Sequence, residues 1–423
     1  MLGNPVMSKR VLIVGGGVIG LCTAYHCAQR GFSVTVLERE PAQRDGCSFG
    51  NAGMVVPSHF IPLAAPGAVA LALKWMWNPA SPFYLKPRWS RDLFGWCVRF
   101  WRAANAGHVR QAAPLLRDLS LASRAGYEEL AGVLGNDFGL VKKGLLMLCR
   151  EAHTLDEEAK TAELARALGI PAEVLDAQQT ATRDPDIHMN VAGSVYFPLD
   201  CHLIPGRFMA CLERKLLELG VELVWDAPVT GWQRNGTTLA AVRSSRGDHE
   251  ADEFVLCGGV WSQDLTRELA LCLPMQAGKG YSLTLPKPRQ LPQICAIFSE
   301  ARVAVTPMGG ALRFGGTMEI AGLNEDINPV RVRGIVDAVS QYYPEFRPED
   351  FDGLRPWRGL RPCPPDGLPY LGRTAKFKNL SIAAGHAMMG MSLGPITGRL
   401  MAEILSGEKP KWDIGRLSPD RYG

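Results

Sequence analysis

Four consecutive apolar residues, Val11, Leu12, Ile13 and Val14, run straight into three glycines at 15–17, after which the apolar positions take a helical spacing to residue 30. A short unbroken apolar run that stops at glycine predicts a buried strand and a tight turn. Gly31 ends the helix, and a second apolar run at 33–38 finishes on Glu38. Further along, residues 112–181 read as helices with a short strand near 145–148. A helix is predicted over 205–219, followed by strands at 221–224, 229–234 and 239–244. The run 252–257 is another buried strand, stopping at Gly258 and Gly259, and alternation from 281 to 318 predicts a further sheet. Residues 357–372 hold too many prolines and glycines for a helix or a central strand, so an ordered loop is expected there. A strand at 380–384, a turn with Gly385 and Gly390, and a helix over 395–405 complete the pattern.

The glycines 15, 17 and 20 form a Gly-x-Gly-x-x-Gly turn between strand and helix. The first permits the tight turn, the second lets a pyrophosphate approach the backbone, and the third lets helix and strand pack closely. Ala24 is small on the packing face of that helix, whose free N–H groups and dipole favour an anion. Glu38 places a carboxylate where ribose hydroxyls would lie. Strand, turn, helix, second strand and terminal acid occur in order within 29 residues, which predicts dinucleotide binding. The competing readings are a glycine-rich connection in another α/β unit and an empty Rossmann unit. The motif does not choose between NAD and FAD. Residues 48–54 are mostly small, and either line a flat ligand or form a tight loop.

A chain of 423 residues exceeds one compact core, so two or three lobes are expected. Apolar residues at 47% and charged residues at 21% suit a folded soluble protein. A net charge of +4 gives no basic focus for nucleic acid. The 11 cysteines lack CxxC pairs and metal spacing, so reduced cytosolic thiols and no metal are expected. Neither a leader nor a membrane-spanning run is visible, which predicts a soluble or surface-bound chain. Between 74 and 102, Trp75, Trp77, Trp89, Trp96 and Trp101 alternate with Lys74, Lys86, Arg88, Arg91, Arg99 and Arg102. That mixture reads as a helical lobe with its aromatics inward, as a peripheral membrane contact, or as a protein interface.

Taken together, residues 14–20 with Glu38, 48–54, 255–261, 280–286, 359–372 and 385–407 resemble the glycine oxidase and D-amino-acid oxidase superfamily, most closely its bacterial D-amino-acid dehydrogenases. The combination of Gly-Leu-Arg-Pro, Asp-Gly-x-Pro and Gly-His is narrower than the nucleotide motif, and the match runs the length of the chain. The resemblance implies an α/β and α+β protein. A Rossmann-type FAD-binding domain would be built from discontinuous segments, 1–66, 201–265 and 355–423. A substrate or cap domain of mixed sheet plus helices would take 67–200 and 266–354.

It also implies FAD as cofactor. Gly15, Gly17 and Gly20, with Val18 and Ile19, would meet the pyrophosphate, and Glu38 with Arg39 the ribose side. Ser48, Asn51, Ala52, Gly53 and Met54 would line phosphates and flavin. Val229, Cys257, Gly258 and Trp261 would sit at the adenosine half. Gly385, His386, Gly390, Met391 and Ser392 would lie along the ring, with His386 a turn residue or a base. Arg361 matches the arginine that grips the substrate carboxylate, a role its planar fork suits; holding loop carbonyls is the alternative.

Two departures stand out. Residues 303–308 offer no tyrosine over the substrate, leaving Tyr281 and Tyr370 as candidate replacements. Residues 57–60, Pro-Ser-His-Phe, look more like enzymes acting on cis-4-hydroxy-D-proline, with His59 placed to bond a ring hydroxyl. The implied reaction is oxidative deamination of a small D-amino or cyclic imino acid. Electrons would leave to a quinone or other carrier, and the location would be cytoplasmic or on the inner membrane face. A glycine or sarcosine oxidase using oxygen and a non-catalytic flavoprotein subunit are the rivals.

Overall fold

The computed structural model describes residues 8–76 and 81–423. Trp77 and the side chain of Trp75 fall outside what is described.

Two sheets organise the chain. The first has six strands in the order Tyr370–Arg373, Leu380–Ala384, Glu253–Leu256, Arg10–Val14, Ser33–Leu37 and Glu222–Val224. All pair in parallel except the first, which runs against Leu380–Ala384. Arg10–Val14 lies near the middle, apolar on both faces, as a central parallel strand requires. Helix Val18–Gln29 follows the glycine turn and packs on helix Gly390–Leu405, joining the two ends of the chain. A Cβ on Gly398 would lie 2.4 Å from the Cys22 carbonyl, so glycine allows this close crossing. A separate three-stranded antiparallel sheet covers Val229–Asn235, Thr238–Ser244 and Gly247–Glu250.

The second large sheet has nine strands, the longest being Gln276–Leu285 and Ala311–Ile320. Strands Leu145–Cys149 and Gly193–Phe197 enter it from the helical stretch, together with Glu173–Asp176, which the sequence pattern did not predict. Helices Arg91–Ala103, Ala106–Val133 and Ala152–Ala167 lie in that same region.

Two expectations need correction. Trp357–Cys363 is a strand, at the edge of the nine-stranded sheet against Gln276–Leu285. Pro362 is tolerated because an edge strand need not donate on its outer side. This strand, expected with the nucleotide-binding segments, therefore belongs to the other sheet; only 364–369 is irregular. The last helix begins at Gly390 and passes through Pro395. Proline lacks the N–H that would reach the Met391 carbonyl, and the Tyr127 hydroxyl donates to that carbonyl instead, at 2.5 Å.

Candidate active site

The glycine turn is shaped by backbone contacts that exclude side chains. A Cβ on Gly15 would lie 2.5 Å from the Cys257 carbonyl oxygen, and one on Gly20 1.9 Å from that of Gly15. Glu38 reaches back from the end of its strand, and its Oε2 accepts from the Gly16 amide at 2.7 Å. On the other side the Val18 amide donates to Ser48 Oγ at 2.9 Å. Arg39 stacks on the Trp261 ring at 3.5 Å. Amide donors, an accepting carboxylate and a hydroxyl thus converge on one helix N-terminus, the set of groups a dinucleotide requires.

These groups open into a cavity of about 1670 Å³. Single small-molecule sites run to roughly 300–1,000 Å³, so this one has room for a dinucleotide and a small substrate together. Its wall includes Gly15, Gly17, Val18, Ile19, Glu38 and Arg39 from the first unit. Ser48, Asn51, Ala52, Met54 and His59 follow from the next segment, with Val229, Cys257, Gly258 and Trp261 beside them. Gly385, His386, Gly390, Met391 and Ser392 arrive from the C-terminal turn, and Arg361 and Tyr281 from the nine-stranded sheet.

Three expected residues lie outside the wall. Gly20 serves the strand–helix contact described above. Gly53 sits at φ +74°, where a Cβ would lie 2.2 Å from the Leu203 carbonyl oxygen. Tyr370 is fully buried, donates its hydroxyl to the Pro274 carbonyl at 2.9 Å, and carries Arg421 on its ring. It supports the 385 turn from behind, since a Cβ on Gly385 would meet its ring at 2.9 Å. Its body is used for packing, so it is no substrate residue.

Tyr281 lines the cavity with its hydroxyl turned away, donating to Glu319 Oε2 at 2.8 Å. Burial first, and then Glu319, raise that phenol far above its ordinary range. His386 is buried, with Nε2 3.0 Å from Thr397 Oγ1. Burial pushes its pKa down to about 3, so the ring is neutral at neutral pH and a poor reservoir for a proton. His59 is pushed down to about 4 by burial, aided by Arg302. Its Nδ1 lies 3.0 Å from Ser58 Oγ, which donates to Asp200 Oδ2 at 2.5 Å. Asp200 is fully buried, and desolvation raises its pKa to about 7.

Arg361 comes from the edge strand. Its side chain passes over Gly280, where a Cβ would lie 2.2 Å from Nη1. Nη1 donates to the Thr317 carbonyl at 2.8 Å. No acidic side chain pairs with it among the described residues. Burial lowers its affinity for its proton, and a part-buried guanidinium without a counter-ion favours an incoming anion.

The cavity wall also takes in residues that pattern reasoning missed. Thr317 sits behind a pair of strand glycines that read as ordinary alternation, and Arg302 and Glu158 stand far apart in sequence. Trp96, Phe100 and Trp101 belong to the aromatic and basic segment, and they reach the same cavity. Of that segment, Trp96 is buried and donates to the Cys363 carbonyl, whereas Trp89, Phe94 and Trp101 are exposed. Inward packing therefore describes only part of it.

Residues 10–404 match the family described as FAD dependent oxidoreductase. Among its relatives is a D-amino acid dehydrogenase of Granulibacter bethesdensis, 32% identical over 98% of this chain and 99% of the relative. One from Allorhizobium ampelinum is 33% identical over 98% of each chain. Glycine oxidase from Geobacillus kaustophilus superposes with a TM-score of 0.79 at 24% identity, covering 98% of this chain and all of that one. L-proline dehydrogenase from P. horikoshii gives 0.74 at 17%, covering 98% of each, and these two likenesses speak for the fold. The cradle, the room beside it and a match spanning nearly the whole chain agree: this protein is an oxidoreductase belonging to the FAD dependent oxidoreductase family, with FAD as its cofactor.

Proposed function

We propose that the protein oxidises a small D-amino or cyclic imino acid, of the size of D-proline or cis-4-hydroxy-D-proline, and passes the electrons to a quinone or similar carrier. The observation that carries this reading is Arg361: a guanidinium in the cavity wall, steadied by one carbonyl and free of any acidic partner among the described residues. Its remaining N–H groups match the two oxygens of a carboxylate. FAD would be held by the glycine turn and the 385–392 segment, and would supply the acceptor for the hydride from the α-carbon. The chain's own contribution is orientation. Arg361 fixes the carboxylate end, and the apolar wall excludes water around the α-carbon. His386, neutral and bonded to Thr397, packs beside the reacting centre without taking a proton.

The acceptor side rests on the surface of residues 83–103. Trp89, Phe94 and Trp101 are exposed together with Arg91 and Arg102, and this helix also lines the cavity through Trp96 and Phe100. Exposed aromatics among cations suit an anionic lipid surface, where a lipid-soluble carrier is found. No helix among the described residues is long and apolar enough to cross a membrane, so this contact would be peripheral.

Anaerobic mixing with D-proline, cis-4-hydroxy-D-proline, D-alanine, glycine and sarcosine tests the substrate. Bleaching by one of the D-compounds, with slow reoxidation by oxygen and fast reoxidation by a soluble quinone, is expected. Peroxide release with sarcosine or glycine would replace this reading with an oxidase, and no bleaching by any of them would leave a non-catalytic flavoprotein.

A further inference from the structure

Strands Gln276–Leu285 and Ala311–Ile320 lose their register beside Arg361. Lys279 faces Glu319, but Tyr281 faces Gly316, so Gly280 alone opposes both Thr317 and Met318. This is a β-bulge, a device that re-aims a side chain next to a site. Thr317 occupies it at φ +64°, a conformation a β-branched residue adopts only where its surroundings impose it. The residue is 9% exposed and lines the cavity, and its Oγ1 has no hydrogen-bond partner among the described residues. Its carbonyl is the acceptor that steadies Arg361 Nη1. The Arg361 side chain lies over Gly280, the residue opposite the bulge.

We propose that Thr317 is a substrate-binding residue, its hydroxyl donating to the carboxylate that Arg361 holds while its carbonyl fixes the guanidinium. The bulge performs both tasks with one residue. It turns the carbonyl towards Arg361 and leaves the hydroxyl buried and unspent on a residue that lines the cavity. An orphaned buried donor is costly, and a carboxylate has lone pairs to spare after taking two N–H bonds. A carboxylate held by three donors is also fixed against rotation about its own axis, which sets where the α-carbon points.

This inference rests on the carboxylate reading of Arg361, so the test separates the two. Benzoate, a carboxylate without an amine, serves as probe, its binding read from the change in the visible flavin spectrum. Arg361→Lys must weaken benzoate; if it does not, the carboxylate reading fails. Thr317→Val keeps the branching and the strained backbone but loses the hydroxyl. It is expected to weaken benzoate by about tenfold or more, the worth of one hydrogen bond to a charged group. Thr317→Ser is expected to stay within about twofold of wild type. Should the valine variant not fold, Thr317→Gly takes φ +64° without strain and must show the same loss. Wild-type benzoate affinity in the valine or glycine variant, with Arg361→Lys impaired, overturns the role of Thr317 alone.

Discussion

Replacing Gly20 with alanine separates two reasons for a glycine near the nucleotide turn. The new Cβ would sit 1.9 Å from the Gly15 carbonyl oxygen, a backbone atom. Carbon and oxygen normally approach to about 3.3 Å even in close C–H···O contacts. Helix Val18–Gln29 must therefore retreat from the turn by more than an ångström, drawing its N-terminal amides away from the phosphate position. Overpacking of this kind costs roughly 1–3 kcal/mol, and if the loss falls on the cradle, FAD affinity drops by about tenfold to hundredfold. Gly31→Ala is the matched control. Nothing lies within 4 Å of its Cβ, and only its φ of +78° is unfavourable. Its cost is about 1–2 kcal/mol of stability, with no change in FAD binding. Quenching of FAD fluorescence on adding apoprotein gives the affinities, and a urea titration gives the stabilities. Wild-type FAD affinity in Gly20→Ala, or equal loss in both variants, would refute the packing argument.

Asp200 predicts a pH dependence. Its carboxyl rises from 3.8 to about 7 on burial, so between those values the folded state binds the extra proton and stability falls as pH increases. Asp200→Asn carries no such proton. Its stability relative to wild type should improve by up to about 4 kcal/mol from pH 4 to pH 7, measured by urea midpoints, and a flat difference would contradict the assignment. Tyr370→Phe removes only the bond to the Pro274 carbonyl, so substrate KM should stay within about twofold while stability drops by about 1 kcal/mol. A KM effect without loss of stability would return that tyrosine to the substrate site. Changing Trp89 and Phe94 together to serine should abolish sedimentation with phosphatidylglycerol vesicles but leave activity with a soluble quinone intact, since neither lines the cavity; unchanged sedimentation would rule out this face.

The nucleotide half was legible in the sequence because local spacing fixes it. Residues 10–38 put strand, turn, helix and carboxylate in order, and the fold follows that order. The substrate half depends on partners distant in the chain. Residues 357–363 read as a loop because proline and glycine usually interrupt elements, yet an edge position in a sheet tolerates both. The last helix starts before Pro395 because the Tyr127 hydroxyl, 264 residues from Met391, takes the carbonyl that the proline cannot serve. Tyr370 was misread because residue type alone does not tell whether a hydroxyl faces a cavity or a carbonyl. Thr317 gave no signal at all: a bulge arises from the register of two strands, and neither strand carries it alone.

The cation at the edge of the nine-stranded sheet decides whether this cavity takes a carboxylate substrate. Its most direct test is the rate at which a D-amino acid decolourises the FAD-loaded Arg361→Leu variant without oxygen. The variant should remain yellow with one FAD per chain, and its bleaching per mole of substrate should slow by at least about a hundredfold, as expected when a buried charge pair loses one partner. Bleaching at the wild-type rate would contradict the account, and a colourless variant would show that Arg361 holds the fold instead of the substrate.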